Sequence, residues 1–182
     1  PIQCNSGSNR SQPPKQEDMK DQNEADVIKE FHSDHKKVIQ ALFELRQSIA
    51  KRNINEVRTI LGGSEWLLVT HFKFEEHYLY PALQPFLGEG YVKKLFNEHD
   101  GIFRSVGRIA ELARKEKWTD AETESAETNL ELIYEHPIGC DGLSLWIERL
   151  SREQQDGLFR QFLKVQEQGT KFSEYRLERQ QA

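Results

Sequence analysis

The sequence predicts an all-α fold, an up-down-up-down four-helix bundle with extra C-terminal helices, and three observations predict it. First, three stretches place apolar residues at alternating steps of three and four, the spacing of a helix face turned toward a core. They read Ile28, Phe31, His35, Val38, Leu42, Leu45, Ile49; then Val57, Ile60, Ser64, Leu67, His71, Phe74, Tyr78; then Val92, Leu95, His99, Ile102, Val106, Ile109, Ala113. Second, one histidine sits inside each stripe, so its ring points into the core, where a polar ring needs a partner. Third, turn-like sequence falls halfway between successive histidines. The midpoint of His35 and His71 is Asn53, and that of His71 and His99 is Pro85, within Gln84-Pro85-Phe86-Leu87-Gly88. The midpoint of His99 and His136 falls at Lys117 and Trp118, just before Thr119-Asp120, a helix start. Residues equidistant from a shared turn lie at the same height on antiparallel helices. His35, His71, His99 and His136 therefore belong in one layer, and four imidazoles converging in an apolar core point to a metal site.

Length and composition frame this reading. The chain has 182 residues, which is one domain with room for an appendage. Lys plus Arg number 25 against 30 Asp plus Glu, a mildly acidic balance that argues for no nucleic-acid footprint and no anionic membrane surface. Charged residues make up 30%, and no apolar run approaches the roughly 20 residues of a membrane span. No secretory signal pattern opens the sequence. Two cysteines, Cys4 and Cys140, make no disulfide framework, and a reducing cytoplasm is the expected setting.

In chain order, residues 1–24 are rich in Ser, Asn, Gln, Pro and charge and are expected to be a disordered tail. Residues 25–150 are expected to form the metal-binding bundle, and 151–182 a helical extension. The first helix starts near Asn23 to Asp26, residues suited to capping, and runs to about Arg52. His35 occupies its seam and is the expected ligand, whereas His32 lies on the flank as a surface or neighbouring ring. The second helix covers about Asn55 to Leu83. Gly62-Gly63 is expected to bend or break it, with Ser64 starting it again, because each glycine costs ~1 kcal/mol relative to alanine in a helix. His71 and Glu75, four apart, share a face and can present a nitrogen and a carboxylate to one ion. Glu76 is expected to be an exposed charge or an acceptor for a ligand ring, and His77 a polar neighbour.

The third helix runs from about Tyr91 to Lys117 with His99 in its seam and Phe103 one turn on. The fourth begins near Thr119-Asp120-Ala121-Glu122, an acidic first turn favoured by the helix dipole, and reaches His136. Pro137 and the glycines after it are expected to disturb the helix. A widened turn there, or a helix end, would swing Asp141 toward the metal; the alternative is that Asp141 caps the next helix. Cys140, four residues after His136, is read as a small buried filler; the alternative is that it faces the site. Two further helical stretches, Leu143 to about Leu150 and Arg152 to about Arg179, are expected to pack across the bundle end or form a homodimer contact.

These residues resemble the hemerythrin-like (HHE cation-binding) family. The resemblance rests on Ser33-Asp34-His35, His71-x3-Glu75-Glu76 with Tyr80-Pro81 after it, Asn97-Glu98-His99 and His136-x4-Asp141, over about residues 27–142. It implies a non-haem di-iron centre in which Glu75 and Asp141 bridge the irons and His35, His71, His99 and His136 are terminal ligands. It also implies dioxygen or another small diatomic ligand such as nitric oxide as the partner. The oxygen carriers of the family place a second histidine four residues after the third-helix one; here that residue is Phe103. The implied role is therefore sensing, storage or iron handling. The alternatives are a di-iron enzyme with peroxidase-like, oxidase-like or iron–sulfur-cluster-repair activity, and a metal-free helical interaction module.

Overall fold

A computed structural model of the chain describes residues 26–181, and every regular element among them is helical. The expected tail, residues 1–24, lies outside the described residues. Helix α1 spans Val27–Ala50. Asp26 caps it, its carboxylate accepting from the backbone N–H groups of Ile28 and Lys29 at 2.9 and 3.2 Å. Helix α2, Ile54–Phe74, is capped by Asn53, which accepts from the N–H of Glu56. The chain then passes through a π-helical turn, Glu75–Leu79, into α3, Tyr80–Leu87. Gly88 closes it at φ +80°, a backbone region open to glycine, and the chain reverses there into α4, Glu89–Leu112. Helix α5, Asp120–Cys140, opens with a capping box between Thr119 and Glu122. A 3₁₀ turn, Asp141–Leu143, leads to α6, Ser144–Ile147, then α7, Arg152–Gln168, and α8, Phe172–Gln181.

Two expectations about helix regularity are corrected. Helix α2 runs unbroken through Gly62-Gly63, and Ser64 does not restart it; the Ser64 hydroxyl instead bonds back to the Ile60 carbonyl at 2.7 Å. Packing explains this, because Val57 and Val69, on either side of the glycines, are fully buried and hold both halves of the helix to the core. The widened turn lies not after His136 but at Glu75–Leu79. Helix α5 continues past Pro137 as far as Cys140, with Ile133, His136 and Cys140 all buried along that stretch. Proline deletes one backbone bond, and the packed turn retains the rest.

Helices α1, α2 with α3, α4 and α5 form the bundle, α1 packing on α2 and α5, and α4 on α5. The histidine layer lies between two apolar clusters. One holds Val38, Leu42, Leu45, Ile102, Ile109 and Ile133, and α8 adds Tyr175 to it. The other holds Val27, Phe31, Phe74, Leu83, Leu95 and Leu143. Helix α7 joins the second cluster through Leu158 and Phe162, whose ring meets Phe74 edge-on at 5.2 Å. No helix among the described residues is long and apolar enough to cross a membrane.

Candidate metal centre

The four seam histidines meet in one layer. Ring centroids are 4.7 Å apart for His35 and His71, 6.2 Å for His71 and His136, and 4.6 Å for His136 and His99. Glu75, fully buried, stands among them. Its two oxygens face different ways. Oε1 is 3.4 Å from His71 Nε2 and accepts the Cys140 thiol at 2.6 Å. Oε2 is 3.1 Å from His99 Nε2 and 3.4 Å from His136 Nε2, and it accepts the Tyr80 hydroxyl at 3.2 Å. Two groups of potential metal ligands result, each with its atoms within 4.8 Å of one another: His35, His71, Glu75 and Cys140, and Glu75, His99 and His136. Glu75 belongs to both.

The π turn begins at Glu75 and shifts the register of the residues beyond it. It brings Tyr80, five residues on, back over Glu75, and it buries Glu76. Glu76 accepts from His99 Nδ1 at 2.7 Å. Its other oxygen accepts the Tyr175 hydroxyl at 2.6 Å and Arg179 Nε at 2.7 Å, both from α8. The hemerythrin HHE cation-binding domain matches residues 26–136, more than half of the chain.

The chain belongs to the hemerythrin HHE family. No curated protein and no solved structure matches it significantly.

The imidazoles suit the cation that this HHE domain implies. Among the described residues, His35 Nε2, both nitrogens of His71 and His136 Nδ1 are buried without a hydrogen-bond partner. An orphaned buried polar atom costs about 1–3 kcal/mol, and a metal ion would relieve that cost at His35 Nε2 and at one nitrogen of His71 by accepting the lone pair of a neutral ring; His136 turns its other nitrogen, Nε2, to Glu75. His35 and His99 each turn Nδ1 to a carboxylate, Asp141 at 3.1 Å and Glu76 at 2.7 Å. A carboxylate on one ring nitrogen fixes the tautomer and leaves the other nitrogen free to ligate. Imidazole donors suit iron, as they do zinc, copper and nickel.

Of the residues singled out in the sequence, the structure brings His35, His71, Glu75, His99 and His136 together. Asp141 is not among them. Its half-exposed carboxylate bonds to the Nδ1 atoms of His32 and His35, on the outer side of the His35 ring. The regular course of α5 is the reason: without a widened turn, the residue on the His136 face is Cys140, four along, rather than Asp141, five along. Phe103 is packed, not vacant. It meets Phe72 at 5.4 Å and Phe172 at 4.8 Å, and the Arg179 guanidinium lies 4.8 Å over its ring. Sequence reasoning also missed Tyr80 as a group on Glu75, and Tyr175 and Arg179 as partners of Glu76. The steps Phe172, Tyr175, Arg179 along a polar helix mark a face turned inward, but nothing in them names Glu76.

Burial and charge divide the histidines of this HHE centre. Burial pushes His71 down to about 3 and also lowers His35, so both rings are neutral and ready to ligate near pH 7. Burial disfavours charge on His99 too, yet its bonds to Glu75 and Glu76 outweigh that and raise it. Burial likewise opposes ionisation of Glu75, and the surrounding His71, His136 and His99 outweigh it, holding the carboxyl well below its usual range. Cys140 and Tyr80 are pushed well above their usual values by burial, with Glu75 adding to the effect, so both stay protonated.

These shifts give the metal-free chain a pH dependence. His35 and His71 protonate more readily unfolded than folded, so stability drops as pH falls below about 6.5. His99 has the opposite sign: its contribution is complete below about 6.5 and is lost as pH rises through its raised folded value. Glu75 and Glu76 add a further loss below about 4.5. The melting temperature of the chelator-stripped chain should therefore peak near pH 6.5, and a steady rise from pH 7 to pH 5 would contradict the assignment.

Proposed function

We propose that this chain is a non-haem di-iron protein that binds a small diatomic ligand, dioxygen or nitric oxide, in sensing, storage or iron handling. The observation that carries the reading is the position of Glu75, whose two carboxylate oxygens face two separate groups of buried imidazoles. A carboxylate between two cations offsets their mutual repulsion. His35 and His71 would hold one iron, with Cys140 beside it, and His99 and His136 the other. Iron bound in this way supplies reversible electron exchange with a diatomic ligand.

The residues of the chain do the rest. Asp141 holds the Nδ1–H of His35, and Glu76 that of His99. Phe31 and Phe72 cover the site: Phe31 lies 4.4 Å from the His35 ring, and Phe72 stacks on His99 at 3.9 Å. Both phenylalanines are buried, so they keep water off the centre. The Tyr80 hydroxyl, protonated and 3.0 Å from His99 Nε2, gives its one proton to Glu75 Oε2 and would turn from it to donate to a ligand entering that side.

Metal analysis of the purified chain, paired with its optical spectrum before and after anaerobic reduction and re-exposure to air, tests this reading. The expected result is about two irons per chain and a visible charge-transfer band that returns with air. Iron that oxidises irreversibly would favour the enzyme reading, for which the observation is that two oxidisable side chains, Cys140 and Tyr80, contact Glu75 directly. A metal-free protein whose melting temperature ignores added iron would overturn both.

A further inference from the structure

We propose that an apolar pocket in the side of the bundle, one helical turn from the histidine layer, binds a small apolar organic molecule, an aromatic ring or a short alkyl chain. The pocket, of about 270 Å³, lies among α1, α2, α4 and α5 and is half-open to solvent, with Gly62, Gly107 and Ala110 exposed at its mouth. Val38, Leu42, Leu67, Leu68, Val106 and Ile133 line it. Three of these sit one turn from the metal-site histidines in sequence: Val38 comes three after His35, Leu68 three before His71, and Ile133 three before His136.

The pocket stays open because small residues stand at its mouth where larger side chains would cover it. Gly62 and Gly107 stand at its wall with Ala41 and Ala110, and a Cβ built on either glycine meets nothing within 4 Å. Its chemistry is apolar. The polar groups at its wall, Ser64 and Glu65, already have partners within the chain. The Ser64 hydroxyl donates to the Ile60 carbonyl, and Glu65 accepts the backbone N–H of Phe172 at 2.8 Å. An apolar cavity of about 150 Å³ takes benzene. The larger space here accommodates a ring with a few added carbons or a chain of comparable volume. The occupant is neutral, because no charged side chain is free to meet it there. Phe172, the first residue of α8, forms part of the wall and is held in place by Glu65.

The probe is benzene, titrated into the full chain in the presence of chelator, with the methyl carbon signals of Val and Leu tracked by NMR. Because no iron is needed, failure of this proposal and failure of the di-iron reading are separate results. Saturable shifts at Val38, Leu42, Leu67, Leu68 and Val106 are expected, together with a raised melting temperature. The filling variant carries Gly62→Leu and Gly107→Leu, with each single change measured beside it. Leucine is the better helix former at both positions, so the fold should hold. Affinity for benzene should fall at least roughly ten-fold, a loss of about 1.4 kcal/mol. Shifts scattered over the surface, no saturation, or unchanged affinity in the filled variants would overturn the proposal.

Discussion

Replacing Glu75 with alanine should remove iron from both groups at once. The expected purified Glu75→Ala protein carries no iron above a metal-free control, and its melting temperature does not respond to added iron. The reason is the shared position of this side chain. Oε1 serves the His35–His71 side and Oε2 the His99–His136 side, so truncation takes a ligand from each. A single histidine change acts on one side only, and His71→Ala should leave the His99 side able to bind. On the di-iron reading, free iron at a thousand times its dissociation constant would stabilise the wild-type fold by about 4 kcal/mol. For a chain of this size that is a rise of roughly 8–16 °C, and Glu75→Ala should show none of it. Glu75→Gln separates charge from shape. It keeps the shape and one acceptor oxygen, for the Tyr80 hydroxyl or the Cys140 thiol but not both, and it has no charge to place between two cations. It should fold and still fail to hold the pair. Unchanged iron content in either variant would end the argument built on this residue.

The histidine layer was legible because a polar ring inside an apolar seam conflicts with burial, and the conflict repeats at heights fixed by three turns. The caps were legible for a similar reason: Asp26 and Thr119 with Glu122 are side chains that satisfy free backbone N–H groups locally. What the sequence hid depends on register. A π turn adds one residue to a helical turn, and nothing in Glu75-Glu76-His77-Tyr78-Leu79 announces it. A reading at a constant angle per residue therefore rotates Glu76 away and overlooks Tyr80. The same fixed angle would have been right after His136, where Pro137 suggested otherwise and the helix continued. There Cys140 faces Glu75, and Asp141 turns to His32 and His35. The contribution of α8 was the least legible. Tyr175 and Arg179 reach Glu76 across about a hundred residues of sequence, and long-range contacts of that kind leave no local periodicity to read.

That distant contact carries the other large prediction. Glu76 accepts from His99 on one oxygen and from Tyr175 and Arg179 on the other, while Arg179 also bonds Asp100 at 2.6 Å. Helix α8 thus holds the carboxylate that holds the ring. Removing a partner of this kind typically costs about 10–100-fold in metal affinity, and Glu76→Ala should lie at the upper end, because it frees the His99 ring and leaves Tyr175 and Arg179 without their acceptor. Arg179→Ala and Tyr175→Phe should lie lower, since each leaves Glu76 one donor and its bond to His99. The loss should be confined to the side that contains His99. Under chelator competition, Glu76→Ala should give up one iron early and keep the other on the His35 side. A purely structural role for α8 would lower the melting temperature of all three variants and leave both irons equally hard to remove. The difference between one iron lost and both retained decides whether the C-terminal helix belongs to the metal centre or only covers it.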